Sequence, residues 1–279
     1  MKKTSKKNTV YRKKKSTKQS RARARRIKKL LLFILLVTVV FFFARSSYFI
    51  VDEINVLGNE KYSSEDIIEK TGLKTGQNVF KMLGEKPKNL LSFRFTEIEQ
   101  SIYEAMPYVG SVSIRPTLPN SIRIKIQERT PFAILENKGT SLLIDKEGHV
   151  LEIVKADVFK NKYFKVIGTS VDSYNLGQEL EFKGRSPLTE LVTFYDLLIK
   201  NDKDSKVKLV KKISKVDLSD SNAIVVEFDN RINVKFGDLE DIDYNIRFFK
   251  QLFDNNITKE QKGTLDFTTG KDPYFVPKD

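Results

Sequence analysis

The residue types that most often carry out catalysis are scarce in this chain of 279 residues. His149 is its only histidine, and it contains no cysteine. The missing cysteines exclude thiol nucleophiles, disulfides and Cys-ligated metals, and a single histidine excludes a multi-histidine metal site. A Ser–His catalytic pair would have to use His149, which follows Gly148 in a predicted turn with no serine nearby in a nucleophile elbow. We therefore expect His149 to be a surface residue.

Carboxylates and glycines offer no clearer chemistry. Adjacent acidic pairs at 52–53, 65–66 and 240–241 fall at predicted strand or helix starts, where capping and solvation explain them. A glycosidase needs two carboxylates across a cleft, a geometry that the sequence neither predicts nor excludes. The nucleotide-binding patterns GxxxxGK[ST] and GxGxxG are both missing. The sequence therefore predicts a protein that is not an enzyme and that carries no cofactor and no metal.

The basic character of the chain is confined to its first residues. The net charge is +14, but residues 1–29 hold fifteen Lys/Arg and no acid. The rest of the chain then has 35 basic and 36 acidic side chains, which argues against a basic nucleic-acid-binding domain. We interpret residues 1–29 as a disordered tail attracted to anionic lipid, because Tyr11 alone could stack on a nucleic-acid base.

A long apolar run follows the basic tail. Leu30–Ala44 has Thr38 as its only polar member and would form about 22 Å of helix, against a hydrocarbon core of about 30 Å. Flanking residues can supply the difference, so we predict a transmembrane helix over 30–47. A cleaved signal peptide is disfavoured because Phe42 spoils the obvious cleavage site, and a buried core helix is disfavoured by the charges before it. The positive-inside rule places 1–29 in the cytoplasm and the chain after about residue 45 outside.

The remaining residues predict two extracytoplasmic domains with an α+β fold. Residues 48–129 follow the order strand, helix, helix, strand, strand. The first helix starts at Ser63 and ends at Gly72, the second starts at Thr96 with Glu99 completing a capping box, and 73–95 reads as a loop. Residues 130–268 predict a β-rich domain with flanking helices, and 269–279 a C-terminal tail. With 40% apolar residues the chain can bury a core, and its length of 279 residues is typical of about two domains.

This order of elements after a single span resembles a POTRA domain, and the residue pattern of the segment resembles the DivIB/FtsQ family of bacterial cell-division proteins. The resemblance covers 28–151 well and rests on F-x-V-x-x-I-x-V-x-G-N at 49–59, G-L-x-x-G-x-N-V-F at 72–80, P-Y-V at 107–109, P-x-x-I-x-I-x-I-x-E-R-x-P-x-A at 119–133 and L-I-D-x-x-G-x-V-L at 143–151. Physically these residues read as turns and core, with Glu128 and Arg129 as a solvated charge pair.

The family resemblance implies a function and a site. It implies a bitopic divisome scaffold in the cell membrane at the division septum, which binds FtsL-like and FtsB/DivIC-like proteins and regulates septal peptidoglycan synthesis indirectly. By position, the last strand would be an edge that takes up a partner strand through its free backbone groups. The implied edge is Leu265, Asp266, Phe267, Thr268 and Thr269, with Tyr274 and Phe275 as apolar anchors beside it.

Three alternatives stay open from the sequence. The chain departs from better-known members around 270–277, so its end could instead be a frayed terminus without a role. A membrane-anchored cell-wall enzyme, a peptidoglycan hydrolase with an undetected carboxylate pair, would need an acid pair in a cleft. A POTRA-type chaperone would bind unfolded chains without a dedicated partner.

Overall fold

The computed structural model describes residues 18–84, 86–155, 162–184, 186–203, 207–220, 222–237, 241–269 and 273–278. They form two compact units. Unit 1 comprises the chain up to 54 with 74–93 and 116–122, and unit 2 comprises 55–73, 94–115 and the chain from 123 onward.

Unit 1 is built on the N-terminal helix α1, Lys18–Ala44. Its segment Ala22–Ala44 is long and apolar enough to cross a membrane, and none of that segment is buried against protein. The hydroxyl of Thr38 donates to the Ile34 carbonyl, so the one polar side chain of the apolar run is satisfied within the helix. The helix begins before Leu30, so predicted disorder is wrong for 18–29, whereas 1–17 lie outside the described residues.

Two short helices pack with the end of α1 in unit 1, where the sequence predicts a loop. They are α3, Val79–Gly84, and α4, Pro87–Ser92. The side-chain amide of Asn78 donates to the carbonyls of Ala44 and Ser46, at 3.0 Å each. Because these carbonyls lie at the last residue of α1 and just beyond it, Asn78 caps α1 and ties α3 to its end.

Unit 2 begins with helices α2, Ser64–Thr71, and α5, Thr96–Ala105. The Ser63 hydroxyl accepts the Asp66 N–H and Gly72 ends α2 with φ 67°, as the sequence predicts. Most residues of a three-stranded sheet also lie here, in the order β1–β3–β2. Its strands are β1, Glu53–Leu57, β2, Val109–Thr117, and β3, Ser121–Glu128. In β3 every second residue from Ile122 to Ile126 is buried.

The predicted capping box of α5 is wrong. The N-cap residue is Phe95, which makes no side-chain cap bond. Glu99 instead points into the domain, where it accepts the Ile114 N–H at 2.6 Å and pairs with Arg94 at 2.7 Å. Glu99 is only 7% exposed, so these two partners compensate a charge that would otherwise be costly to bury.

The rest of unit 2 contains a nine-stranded mixed sheet, in the order β14–β13–β12–β11–β10–β7–β4–β5–β6. Its strands are β4 (Ala133–Asn137), β5 (Thr140–Ile144), β6 (Val150–Val154), β7 (Lys165–Ile167), β10 (Ile213–Asp217), β11 (Ile224–Phe228), β12 (Ile232–Phe236), β13 (Gly263–Asp266) and β14 (Tyr274–Pro277). A separate pair consists of β8 (Val171–Ser173) and β9 (Glu181–Phe182).

Two helices cover this sheet. Helix α6, Leu188–Asp202, connects the parallel strands β7 and β10, and α7, Ile242–Asn255, connects the parallel strands β12 and β13. Their apolar faces share one core with the strands, as in other strand–helix–strand units. The structure thus confirms the predicted α+β class, with a β-rich domain after the three-stranded sheet.

A buried ion pair joins β3 to the nine-stranded sheet inside unit 2. Arg129, directly after β3, lies 3.0 Å from Asp145, and the two side chains are 8% and 2% exposed. Arg129 also donates to the Tyr103 hydroxyl at 3.0 Å, and Asp145 accepts the His149 N–H at 2.7 Å. The prediction of a solvated Glu128–Arg129 pair is therefore wrong. The His149 ring is half-buried, 3.1 Å from Asp145, and is not a free surface residue.

We call the Arg129–Asp145 pair and the contacts around it the joint between β3 and the nine-stranded sheet. The Glu128 carboxylate accepts the N–H groups of Lys61 and Tyr62, which holds the start of α2 against the end of β3. The Tyr108 hydroxyl donates to Glu152 of β6 at 2.8 Å. Burial first, and this hydrogen bond second, raise the pKa of Tyr108, so it stays a neutral donor at physiological pH.

Removing the Asp145 carboxylate should destabilise the chain strongly. We expect Asp145→Ala to lower the free energy of unfolding by about 3–5 kcal/mol, because Arg129 would be left buried without its counter-ion. Asp196→Ala, which breaks the exposed Lys146–Asp196 pair, should cost less than about 1 kcal/mol. Urea unfolding of the full chain in detergent micelles, followed by circular dichroism, measures both. An equal decrease in the free energy of unfolding in both variants would mean that the buried pair contributes no more to stability than the exposed one.

Candidate functional site

The end of the nine-stranded sheet is the site that the sequence singles out, and the structure changes which strand lies there. Strand β13 pairs in parallel with β12 and antiparallel with β14, so β13 is an interior strand. The prediction that 265–269 form the exposed edge is therefore wrong in its choice of strand. The outermost strand is β14, which lies within the residues assigned to the tail and contains Tyr274 and Phe275.

The free edge of β14 offers few backbone groups. The Lys278 N–H donates to the Lys262 carbonyl, so Lys278 directs its backbone groups toward the β13 side. In an antiparallel pair this orientation alternates from one residue to the next. Phe275 and Pro277 therefore direct their backbone groups away from β13. Proline has no N–H, and Pro273 precedes the strand. The edge therefore presents the Phe275 N–H as its donor, with the Phe275 and Pro277 carbonyls as acceptors. Proline on an edge strand limits uncontrolled pairing.

Side chains alternate across β14. Tyr274 and Val276 are exposed, at 54% and 48%, and lie on one face of the strand. Phe275 lies on the other face, half-buried, with its ring against the Cα of Gly263. Of the two predicted anchors, Tyr274 is accessible to a partner, whereas Phe275 is occupied in holding β14 to the core.

The five residues predicted as the edge have different environments. Leu265 is 1% exposed and belongs to the core. Asp266 accepts both the N–H and the hydroxyl of Thr268, which closes a turn after β13. Phe267 is half-buried, whereas Thr268 and Thr269 are exposed. The structure therefore leaves Phe267, Thr268 and Thr269 at least partly exposed, whereas the Leu265 side chain is buried in the core.

An aromatic ridge that the sequence analysis missed borders this turn. We define it as Tyr244, Phe248 and Phe267. The Phe267 ring stacks on buried Phe236 at 5.8 Å and meets Phe248 edge-on at 6.0 Å, and Phe248 contacts Tyr244 at 6.2 Å. Tyr244 is 60% exposed. The four-residue spacing of Tyr244 and Phe248 beside the core positions of α7 is the sequence signal that could have revealed the ridge.

The described residues contain one cluster that could ligate a metal, formed by Asp145, Glu147 and His149, whose ligand atoms lie within 4.8 Å of one another. Asp145 is already bound by the Arg129 guanidinium and by the His149 N–H. A cation there would compete with a fixed positive charge 3.0 Å away. The cluster is therefore accounted for as part of the joint.

A cleft among the described residues has a volume of about 1340 Å³ and is rich in lysine. Its two acidic residues are each paired, Asp229 with Lys212 at 3.0 Å and Glu227 with Lys215 at 3.9 Å. Two carboxylates that share a substrate and divide acid and base roles need environments that separate their pKa values. This cleft provides two structural ion pairs instead, and it gives no support to a hydrolase.

Two family models match consecutive parts of the chain. Residues 49–129 match the POTRA domain of FtsQ type, and 133–267 match the C-terminal domain of the cell division protein FtsQ/DivIB. The chain belongs to the DivIB/FtsQ family. The boundary between the two matches lies just after Arg129, so the Arg129–Asp145 pair connects both matched parts within unit 2. Strand β14 lies beyond the end of the second match.

Individual relatives agree with this assignment. The cell division protein DivIB of Clostridium acetobutylicum is 28% identical over 229 residues, 82% of this chain and 83% of that protein. DivIB of Clostridium botulinum strain Hall is 25% identical over 232 residues, 82% of each chain. The cell division protein FtsQ of Bartonella bacilliformis is 26% identical over 121 residues, 43% of this chain and 35% of that protein.

Attachment of β14 depends on the missing side chain at position 263. A Cβ there would collide with the Val276 carbonyl and lie 2.5 Å from the Phe275 ring. We expect Gly263→Ala to raise amide exchange at Val276 and Lys278 about tenfold or more, since overpacking costs about 1–3 kcal/mol. Gly237→Ala is the matched control, because its Cβ would meet nothing closer than 3.8 Å. Unchanged protection of β14 in Gly263→Ala would show that the strand is held differently.

Proposed function

We propose that this DivIB/FtsQ protein is a bitopic scaffold of the division machinery, anchored by α1 with residues 1–29 in the cytoplasm and both family domains outside. Its partners on this proposal are FtsL-like and FtsB/DivIC-like single-span proteins at the septum, through which it regulates peptidoglycan synthesis indirectly. The observation that carries the proposal is the short free edge of β14. The family membership supports a role in cell division, and the span supports membrane anchoring.

The β14 edge suits the addition of one short strand. A residue opposite Phe275 would exchange two hydrogen bonds with it, and the Pro277 carbonyl would accept a third. Exposed Tyr274 and Val276 give the incoming strand an apolar face to cover. Because the prolines remove further donors, a long ladder with a second copy of the same chain is disfavoured. This combination favours a dedicated partner over self-association.

The aromatic ridge extends the proposed docking surface. Phe267 and Tyr244 contact the same ring, Phe248, so the ridge is one connected apolar surface. Aromatic side chains supply much of the binding energy at interfaces, because they bury a large area with little loss of conformational freedom. The exposed threonines 268 and 269 lie next to Phe267 and offer polar groups to the rim of such a contact.

Photo-crosslinking in living cells tests where the partner binds. A photo-reactive amino acid at Tyr274 should capture a small single-span division protein. The same group at Ile153 on β6, the opposite end of the sheet, should not, although Ile153 is equally exposed at 53%. Arg123 on β3 provides a comparison on the POTRA domain. Capture at Arg123 or Ile153 without capture at Tyr274 would contradict docking at the β14 edge.

A pair of substitutions at one position separates backbone pairing from side-chain contact. Phe275→Pro removes the one outward N–H donor of β14, whereas Phe275→Leu keeps that donor and an apolar side chain. We expect Phe275→Pro to weaken partner binding by about tenfold or more relative to Phe275→Leu, since a lost hydrogen bond and a blocked approach act together. Titration of the purified full chain with its partner measures the ratio. Equal affinities would argue against strand addition.

A further inference from the structure

Helix α4 exposes the wrong residues for a surface that faces water. Asn89 is buried at 6% exposure, whereas Leu91 is 90% exposed and Leu90 is 47% exposed. Single exposed leucines are ordinary, but a turn of helix that buries its amide and presents two adjacent leucines is not. Such a pattern indicates that the outward face of α4 meets an apolar environment.

The position of α4 identifies that environment. It belongs to the same compact unit as α1. Three ring contacts lead from the last turn of α1 to the end of α4, Phe43–Phe49 at 5.3 Å, Phe49–Phe80 at 4.9 Å and Phe80–Phe93 at 6.2 Å. Asn78 adds two hydrogen bonds to the carbonyls at that end of α1. The exposed leucines are therefore held near the C-terminal end of α1.

We propose that α4 docks on the outer surface of the lipid bilayer, with Leu90 and Leu91 at the boundary between headgroups and acyl chains. This inference rests on the membrane anchoring in the proposed function. Apolar side chains of interfacial helices are buried in this boundary while cations remain at the headgroups. Lys81 and Lys88 are exposed on α3 and α4 and can contact lipid phosphates. Tyr48, 63% exposed just after α1, adds an interfacial aromatic residue.

The bilayer is favoured over a protein as the partner of the exposed leucines, because α4 belongs to the same compact unit as the membrane-spanning helix. Span and α4 are parts of one unit joined by aromatic packing, so insertion of α1 brings the leucines to the interface without a further partner. Adjacent lysines match anionic headgroups in charge. The docked helix would restrain tilting of unit 1 on its span, because it adds a second point of attachment at the membrane surface.

Spin labels can locate α4 directly, since the chain has no cysteine of its own. Full-length protein would be reconstituted, one chain per nanodisc, in equal parts of phosphatidylglycerol and phosphatidylcholine. Separate variants Ser92→Cys on α4, Val37→Cys in α1 and Ile153→Cys on β6 carry the label. Accessibility to oxygen, which partitions into lipid, and to a water-soluble nickel chelate then gives the depth of each site.

We expect the label at Ser92 to report the lipid interface, Val37 the hydrocarbon core and Ile153 water. Adding Leu90→Gln and Leu91→Gln to the Ser92 reporter should lower its ratio of lipid-facing to water-facing label by about tenfold or more, because full burial of even one leucine already shifts an equilibrium by about that factor. Leu176→Gln, at a similarly exposed leucine of unit 2, should leave that ratio unchanged.

Three results would overturn the inference. A water-like signal at Ser92 with Val37 in lipid would refute docking of α4 while leaving the anchored scaffold intact. Protection of Ser92 from both reagents would show that protein, and not lipid, covers the helix. A water-like signal at Val37 would refute the membrane anchor itself, and the inference would fail with it.

Discussion

The buried pair of Arg129 and Asp145 is the interaction on which the arrangement of unit 2 depends. It lies where the chain leaves β3 for the nine-stranded sheet, and each member is nearly inaccessible to water. Two buried charges stabilise little relative to apolar side chains, but removing one is costly, so the pair acts mainly to specify geometry. Arg129 can meet Asp145 only when β3 and the β5–β6 turn are in register. The Nε of Arg129 finds no acceptor among the described residues, so its two terminal nitrogens alone hold the guanidinium, one on the Asp145 carboxylate and one on the Tyr103 hydroxyl.

A fixed joint matters because the other features of unit 2 lie on rigid elements. Strand β14 reaches the joint only through the sheet, across β13, β12, β11, β10, β7, β4 and β5. Hydrogen-bonded strands transmit position well, because each register is set by the alternating burial of its neighbours. A partner that adds to β14 would thus be held in a defined orientation toward β3, with no need for direct contact there. This suits a scaffold, whose function lies in positioning others.

Local sequence patterns predicted most elements of the fold, whereas the environment of the candidate site depends on contacts between residues that are distant in sequence. Ser63 and Gly72 bound α2 as predicted, since capping is a matter of neighbouring residues. Glu99 is predicted to cap α5 because Thr96 lies three residues before it. In the structure its carboxylate instead binds the Arg94 side chain and the Ile114 N–H. Likewise Glu128 and Arg129 are adjacent charges in sequence, and only the fold brings Asp145 to Arg129. The edge was misplaced by one strand because a four-residue strand between prolines has almost no periodicity to detect.

The small number of hydrogen bonds at the β14 edge need not mean weak assembly. Three backbone hydrogen bonds contribute on the order of 0.5–1.5 kcal/mol each, too little for a stable complex between two freely diffusing proteins. A partner anchored in the same membrane is already confined near the edge, so its docking is effectively intramolecular and the cost of association falls. Membrane anchoring and a proline-limited edge are therefore complementary. On the proposed function, the span would supply effective concentration, while the short edge would keep the contact specific and reversible.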